Sequence, residues 1–291
     1  MSSYLNCYEI LSDLRREINE YSTALVQGTD TSGAYSNAYL VRKINDAQGY
    51  LYSMLLNKKP EIFLKSTTIT GVASVFALPA DFGTLLVFKD DENRKIFPIN
   101  IDKLKIGTSS GNSRLYYRKG SDLVMDKDGI TDTYTLWYYW RCRDLDTGTA
   151  AAGAATSITL ATTAKPILNY YTGMDIEDIT QSFVNEITAY TAARVATITG
   201  TAVAADYYGI VPELPEPFRF LIASRAALTI KAKSPIYLDK TNIEAEYKLF
   251  YDEFNETFKA YAGSKEDIDQ EEIWMDLEAT GPRSPGIVQS S

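Results

Sequence analysis

SNAYLVRKINDAQGYLYSMLLNKKPEIFLKSTTITGVASVFAL, residues 36–78, changes its hydrophobic period partway along, and that change decides the fold. Leu40, Ile44, Ala47, Leu51 and Leu55 recur at spacings of three and four, which places them on one face of a helix. Pro60 ends that helix, because proline disfavours helical geometry in the residue before it. Beyond it the residues turn β-branched and aromatic and alternate with a period of two, the pattern of half-buried strands.

Working outward, an earlier helix is expected where Leu11, Leu14, Ile18, Tyr21 and Leu25 share one face, broken by QGTDTSG at 27–33. Downstream, GTLLVFK, RKIFPINI, RLYYRKGSDLVMD and DTYTLWYYW extend the strand pattern to about Tyr139, and an antiparallel meander is expected. Turn chemistry at 90–93 (DDEN), 119–122 (KGSD) and 126–129 (DKDG) separates the strands. The run 147–156 (TGTAAAGAAT) has little to pack and reads as a flexible connector. A second group of strands, including SITLA, NEITAYT and RVATITG, then fills 157–210.

Helical period returns after Pro215 through Phe218, Leu221, Ile222, Arg225 and Leu228. A last helix is expected to open with Thr241-x-x-Glu244 as a capping box and to carry Ile243, Tyr247, Phe250, Phe254, Phe258 and Tyr261 as a core-facing stripe. The fold class is therefore α+β, a helical bundle from both chain ends with a large antiparallel β insertion and a second inserted β module. The expected divisions are a helical pair at 1–60, a β domain at 61–146, the module at 147–211, a helical pair at 212–263 and an extended acidic tail at 264–291.

Composition narrows the chemistry. Hydrophobic residues make up 45% of the 291 and charged residues 23%, which is a folding composition. The net charge of -9 works against a phosphate backbone, so DNA affinity is not the default expectation. Seven acids and one lysine between Lys265 and Glu278 give that segment a net of -6, the larger part of the total. Cys7 and Cys142 form no CxxC pair and read as reduced thiols of a protein made in a cytoplasm. No run approaches the ~20 apolar residues of a membrane span, and the charged N-terminus does not read as a secretory signal.

With no histidine anywhere, the commonest general base and the commonest nitrogen ligand for metals are missing. GTSSGNS at 107–113 has Asn112 where a phosphate-cradling loop needs lysine, and reads as a surface loop. Asp126-x-Asp128-Gly129 lacks the downstream ligands of a calcium loop and reads as a turn. No catalytic residue, metal site or cofactor site is expected. Tyr116, Tyr117, Trp137, Tyr138, Tyr139 and Trp140 read as core and inter-subunit contacts, with a sugar platform as the other use of exposed rings. In the tail, Ile273, Trp274, Met275 and Leu277 form an apolar cluster without a core of its own and read as a partner-docking segment.

FALPADFGTLLV at 76–87 resembles the LP-x-D strand entry of tailed-bacteriophage head-to-tail adaptor proteins, with Leu78, Pro79, Asp81 and Phe82 in the motif positions. A helix resembling 36–56 precedes the motif in that family, a strand like 133–141 closes its β domain, and a segment like 213–227 returns it to helices. The insert is similar to a β module of phage virion proteins, matched by Tyr170, Tyr171, Gly173, Ile176, Ile187, Thr188, Tyr190, Arg194, Ala196 and Thr197. The resemblance implies a structural virion protein, not an enzyme: a homo-oligomeric ring, commonly twelve copies, beneath the portal protein. Double-stranded DNA would pass through it without specific binding, and a tail or nozzle protein would attach to it. It implies assembly in the bacterial host cytoplasm and residence at the head-tail junction of the virion, with no membrane partner. The alternatives are a distal tail-tube gatekeeper and, from another class, a glycan-binding accessory virion protein.

Overall fold

The computed structural model describes residues 5–20, 35–99, 115–125, 130–233 and 240–264. These residues form an α+β protein with four α-helices and several antiparallel sheets, and they cluster into two compact units. One is built from Leu64–Trp140, the other from the chain up to Phe63 together with Arg141–Tyr261.

Helix α1 (Cys7–Glu17) opens on a capping box that sequence reading missed. The Asn6 side chain accepts from the amides of Tyr8 at 2.8 Å and Glu9 at 3.1 Å, and Glu9 accepts from the Asn6 amide at 3.2 Å. Leu11, Leu14 and Ile18 are buried as expected, while Tyr21, Leu25 and the 27–33 break lie outside the described residues. Helix α2 (Asn37–Lys58) is capped by Ser36 and buries Leu40, Ile44, Ala47, Leu51 and Leu55; its end before Pro60 leads into a 3₁₀ turn, Pro60–Phe63.

The strand-built unit holds β1 (Leu64–Thr70), β2 (Val75–Ala77), β3 (Phe82–Lys89), β4 (Phe97–Pro98), β5 (Leu115–Lys119), β6 (Asp122–Met125) and β7 (Thr133–Trp140). It is not a simple meander. The last strand, β7, lies between β1 and β3, and the second sheet runs β2-β6-β5-β4 with β4 and β5 parallel. TYTLWYYW buries Tyr134, Leu136 and Tyr138 on one face, and a strand with that much apolar bulk is most stable with neighbours on both sides. Phe76, Phe82, Phe88, Ile96, Leu123 and Met125 complete this core. Of the expected turns, 90–93 is held by the Asp90 carboxylate, which accepts from the amides of Glu92 and Arg94, and 119–122 has Gly120 at φ +62. The 126–129 turn and the 107–113 loop lie outside the described residues.

The 147–156 run is not a flexible connector. It forms β8 (Thr147–Thr149) and β9 (Ala152–Ala154), followed by β10 (Ser157–Thr159), β11 (Asp175–Asp178), β12 (Phe183–Glu186), β13 (Ala189–Tyr190), β14 (Val195–Thr197) and β15 (Tyr207–Ile210). Two antiparallel sheets result, β13-β14-β10-β9 and β12-β11-β15-β8. Small residues in 147–156 are needed because backbones approach closely: a Cβ on Gly153 would lie 2.5 Å from the Ala202 carbonyl oxygen, and one on Gly148 would lie 2.9 Å from Ala161 Cβ.

A 3₁₀ turn at Glu216–Phe218 leads into α3 (Leu221–Lys231), which packs on α1 and α2. Helix α4 (Lys240–Ser264) already includes Thr241 in its first turn, so Thr241 is not the cap that the Thr241-x-x-Glu244 spacing suggested. Phe250 and Phe254 are buried, with Phe254 5.7 Å from Phe218, and Tyr251 shares a 2.6 Å hydroxyl contact with Tyr50 of α2. Lys231 of α3 pairs with Glu246 at 3.0 Å.

Candidate functional site

The adaptor-like motif occupies the corner between β2 and β3. A turn closes when the Phe82 amide donates to the Pro79 carbonyl at 3.0 Å, and the Leu78 amide donates to the Ser121 carbonyl at 3.0 Å. That turn directs Asp81 inward, where its carboxylate accepts from the Tyr138 hydroxyl at 2.9 Å and from Lys65 Nζ at 2.6 Å. Phe82 packs 5.5 Å from the Tyr138 ring, and the Arg118 guanidinium lies over the Phe82 ring at 5.3 Å. Leu78, Asp81 and Phe82 thus tie three strands together, and the motif builds the fold. Tyr138 is buried, whereas Tyr116, Tyr117, Trp137, Tyr139 and Trp140 are half-buried.

In the other unit, the segment between β7 and β8 is bound on every side. Arg143, 4% exposed, bonds Glu213 through Nη2 at 2.6 Å and gives Nη1 to the carbonyls of Tyr170 and Thr172. The Asn45 and Gln48 side chains of α2 bond the backbone of Leu145 and Arg143. Asp146 is buried and accepts from the Tyr208 hydroxyl at 2.5 Å, and burial pushes its carboxyl up to about 6. Burial, and then the neighbouring Asp206, also raise Asp178. Asn45 and Gln48 were legible in principle as polar residues interrupting the buried stripe of α2. Arg143, Glu213 and Asp146 left no local signal.

Three residues of the virion-module pattern, Tyr171, Tyr190 and Arg194, converge on one loop. The Tyr190 hydroxyl donates to the Lys165 carbonyl at 2.8 Å, and the Tyr171 hydroxyl accepts from the Lys165 amide at 3.4 Å. Arg194 Nε donates to the Ala164 carbonyl at 2.9 Å, and the Asn169 amide to the Tyr190 carbonyl at 2.9 Å. Tyr171 and Tyr190 are both 1% exposed and meet edge to face at 5.0 Å. Gly173 takes φ +80, Ile176, Ile187 and Ala196 are buried, and Thr188 and Thr197 share a backbone bond. The loop so held displays Ile167 at 52% and Leu168 at 63% exposure, beside the exposed Pro166. Three adjacent exposed apolar residues on a pinned backbone are unusual for a surface with no partner.

No group of three or more candidate metal ligands occurs among the described residues, and no described helix is long and apolar enough to cross a membrane. A hollow of about 240 Å³ along α1 contains two carboxylates, both engaged: Glu9 in the helix cap and Asp13 with Arg16. The docking residues expected in the tail, Ile273, Trp274, Met275 and Leu277, lie outside the described residues. Neither the comparison with protein-family models nor that with curated proteins returns a match.

Proposed function

We propose that the chain is a structural virion subunit, a head-to-tail adaptor of a tailed bacteriophage. In this reading copies form a ring beneath the portal, with helices from both flanks of the strands gathered in one bundle. DNA passes through the ring, the tail or nozzle protein attaches to it, and the subunit does no catalysis. The observation that carries the reading is the loop bearing Ile167 and Leu168. Its backbone is bonded by Tyr171, Tyr190 and Arg194, so these side chains are held ready for a protein surface with little ordering cost. Further support comes from the buried Asp81, Arg143 and Asp146 and the half-buried Glu213, each engaged in holding the fold. The segment 273–277 is a second docking element in this reading, engaged as the ring forms.

The sugar-binding alternative needs a platform of open rings on the module. Of its tyrosines and phenylalanines Tyr207 alone is exposed, and it stacks on Tyr8.

Light scattering of the purified protein, alone and mixed with a recombinant portal ring of the same virus, tests the proposal. Stoichiometric addition of the chain to the portal is expected, and an Ile167→Asp/Leu168→Asp variant should add weakly or not at all. A chain that ignores the portal and joins a nozzle protein would make it a distal gatekeeper. One retained by host polysaccharide would make it a glycan-binding protein.

A further inference from the structure

The two edges of the β1-β7-β3 sheet are built differently. Strand β3 is broken by two bulges and has its Phe88 carbonyl taken by the Ile96 amide at 2.7 Å. Those are the devices by which proteins keep an edge strand from pairing with another chain. Strand β1 has none of them. Its seven residues, LKSTTIT, pair with β7 without a break from Leu64↔Tyr139 to Thr70↔Thr133. They contain no proline or glycine, and the one charge, Lys65, is drawn to Asp81. On its other side no backbone group among the described residues bonds to it. An undefended, regular edge opposite a defended one is a surface for strand addition.

An edge of this kind takes an extended segment whose side chains alternate between apolar and polar faces. Ile69 of β1 packs against the core, whereas Ser66, Thr68 and Thr70 are exposed, so an added strand would need apolar side chains on the Ile69 face. The chain beyond α4 contains such a segment. In extended form Ile273, Met275 and Leu277 share one face, with Trp274 and Asp276 on the other. Eight residues, 265–272, separate it from the end of α4 and span up to roughly 29 Å when extended. The net charge of -6 between Lys265 and Glu278 disfavours pairing of two tails but is compatible with an edge whose single charge is a lysine.

We infer that residues 273–277 of one copy add as a strand to β1 of a neighbouring copy. The contact is head to tail, which closes into a ring when the rotation allows. The inference rests on the adaptor reading, because it requires copies to meet.

The test mixes two full-length variants, Thr68→Cys and Asp276→Cys, whose side chains would share the face opposite Ile69, with and without portal, under mild oxidation and with the parent chain as control. A disulfide-linked heterodimer is expected in the mixture under ring-forming conditions and in neither variant alone. Rings that form without the crosslink would overturn the strand-addition inference and leave the adaptor reading standing. Failure to form any ring, with portal present, would overturn both. A chain carrying both cysteines that crosslinks within itself while the mixture does not would show the tail pairing in its own subunit, and would also overturn the inference.

Discussion

The side chain of Asn45 on α2 bonds both backbone groups of Leu145, accepting from its amide at 2.7 Å and donating to its carbonyl at 3.1 Å. One amide side chain thereby does the work of a neighbouring strand for a buried residue, and Gln48 one turn later donates to the Arg143 carbonyl at 2.9 Å. Removing it leaves a buried amide and a carbonyl without these partners. Asn45→Ala should cost roughly 2–3 kcal/mol, and Asn45→Asp, which keeps an acceptor and loses the donor, should also destabilise. A lower urea midpoint at unchanged m-value is the expected result for both, and wild-type midpoints would refute it.

Asp146 gives the fold a pH dependence with a definite sign. Burial raises its carboxyl from 3.8 to about 6, so the folded chain binds that proton more tightly than the unfolded one. Its contribution is most favourable below about pH 4, falls as pH rises to about 6, and is level above that. The difference is on the order of 3 kcal/mol. Asp146→Asn keeps an acceptor for Tyr208 and removes this titration. Its stability should therefore fall less than that of the wild type between pH 4 and 6, by chemical denaturation at a series of pH values. Asp178 acts in the same direction, so some slope should remain.

Two glycines should respond in opposite ways to alanine. Gly49 lies in α2 with open space where a Cβ would go, and Gly49→Ala should stabilise by up to ~1 kcal/mol through the lower entropy of the unfolded chain. Gly153→Ala places its Cβ against the Ala202 carbonyl and should destabilise by roughly 1–3 kcal/mol. Melting temperatures moving the same way would contradict this account of β9.

The Arg225 guanidinium lies 4.0 Å from the ring centroid of Tyr50 and within 6 Å of those of Tyr247 and Phe250, with Nε and Nη1 buried and donating to no acceptor among the described residues. Its contribution is therefore stacking across α2, α3 and α4. Lysine puts a compact, strongly hydrated charge against the same rings, and Arg225→Lys should cost about 1–2 kcal/mol. Arg225→Met keeps the length and polarisable packing without the charge and should cost less. The reverse order in thermal unfolding would show that an ionic interaction matters more.

Local chemistry made some features legible and not others. The apolar stripe of α2 and its end before Pro60 are each set within a few residues, and each stands where the sequence puts it. Thr147–Thr149 and Ala152–Ala154 were misread because a run of small residues looks alike whether it is loose or pressed against another backbone. The central place of β7 and the parallel pairing of β4 with β5 depend on which strands meet across long separations, which alternation does not encode. Tyr170, Tyr171, Tyr190 and Arg194 stood out as a pattern. The bonds of Tyr171, Tyr190 and Arg194 to the backbone at 164–165, and of Tyr170 to the Asp144 amide, could not be read from spacing, because they run between side chains and backbone groups several to many residues away.

By itself the sequence determined the α+β class, the placement of α2 and the absence of histidine, because periodicity, the restriction before proline and composition act within a few residues or need no geometry at all. Only the tertiary structure decided that Asp81 is bound by Tyr138 and Lys65, that Ile167 and Leu168 stand out on a pinned loop, and that the edge of β1 away from β7 is left unpaired among the described residues. Burial and strand order are properties of the packed chain. They depend on which distant surfaces exclude water from one another, and that choice is made only when the whole core closes.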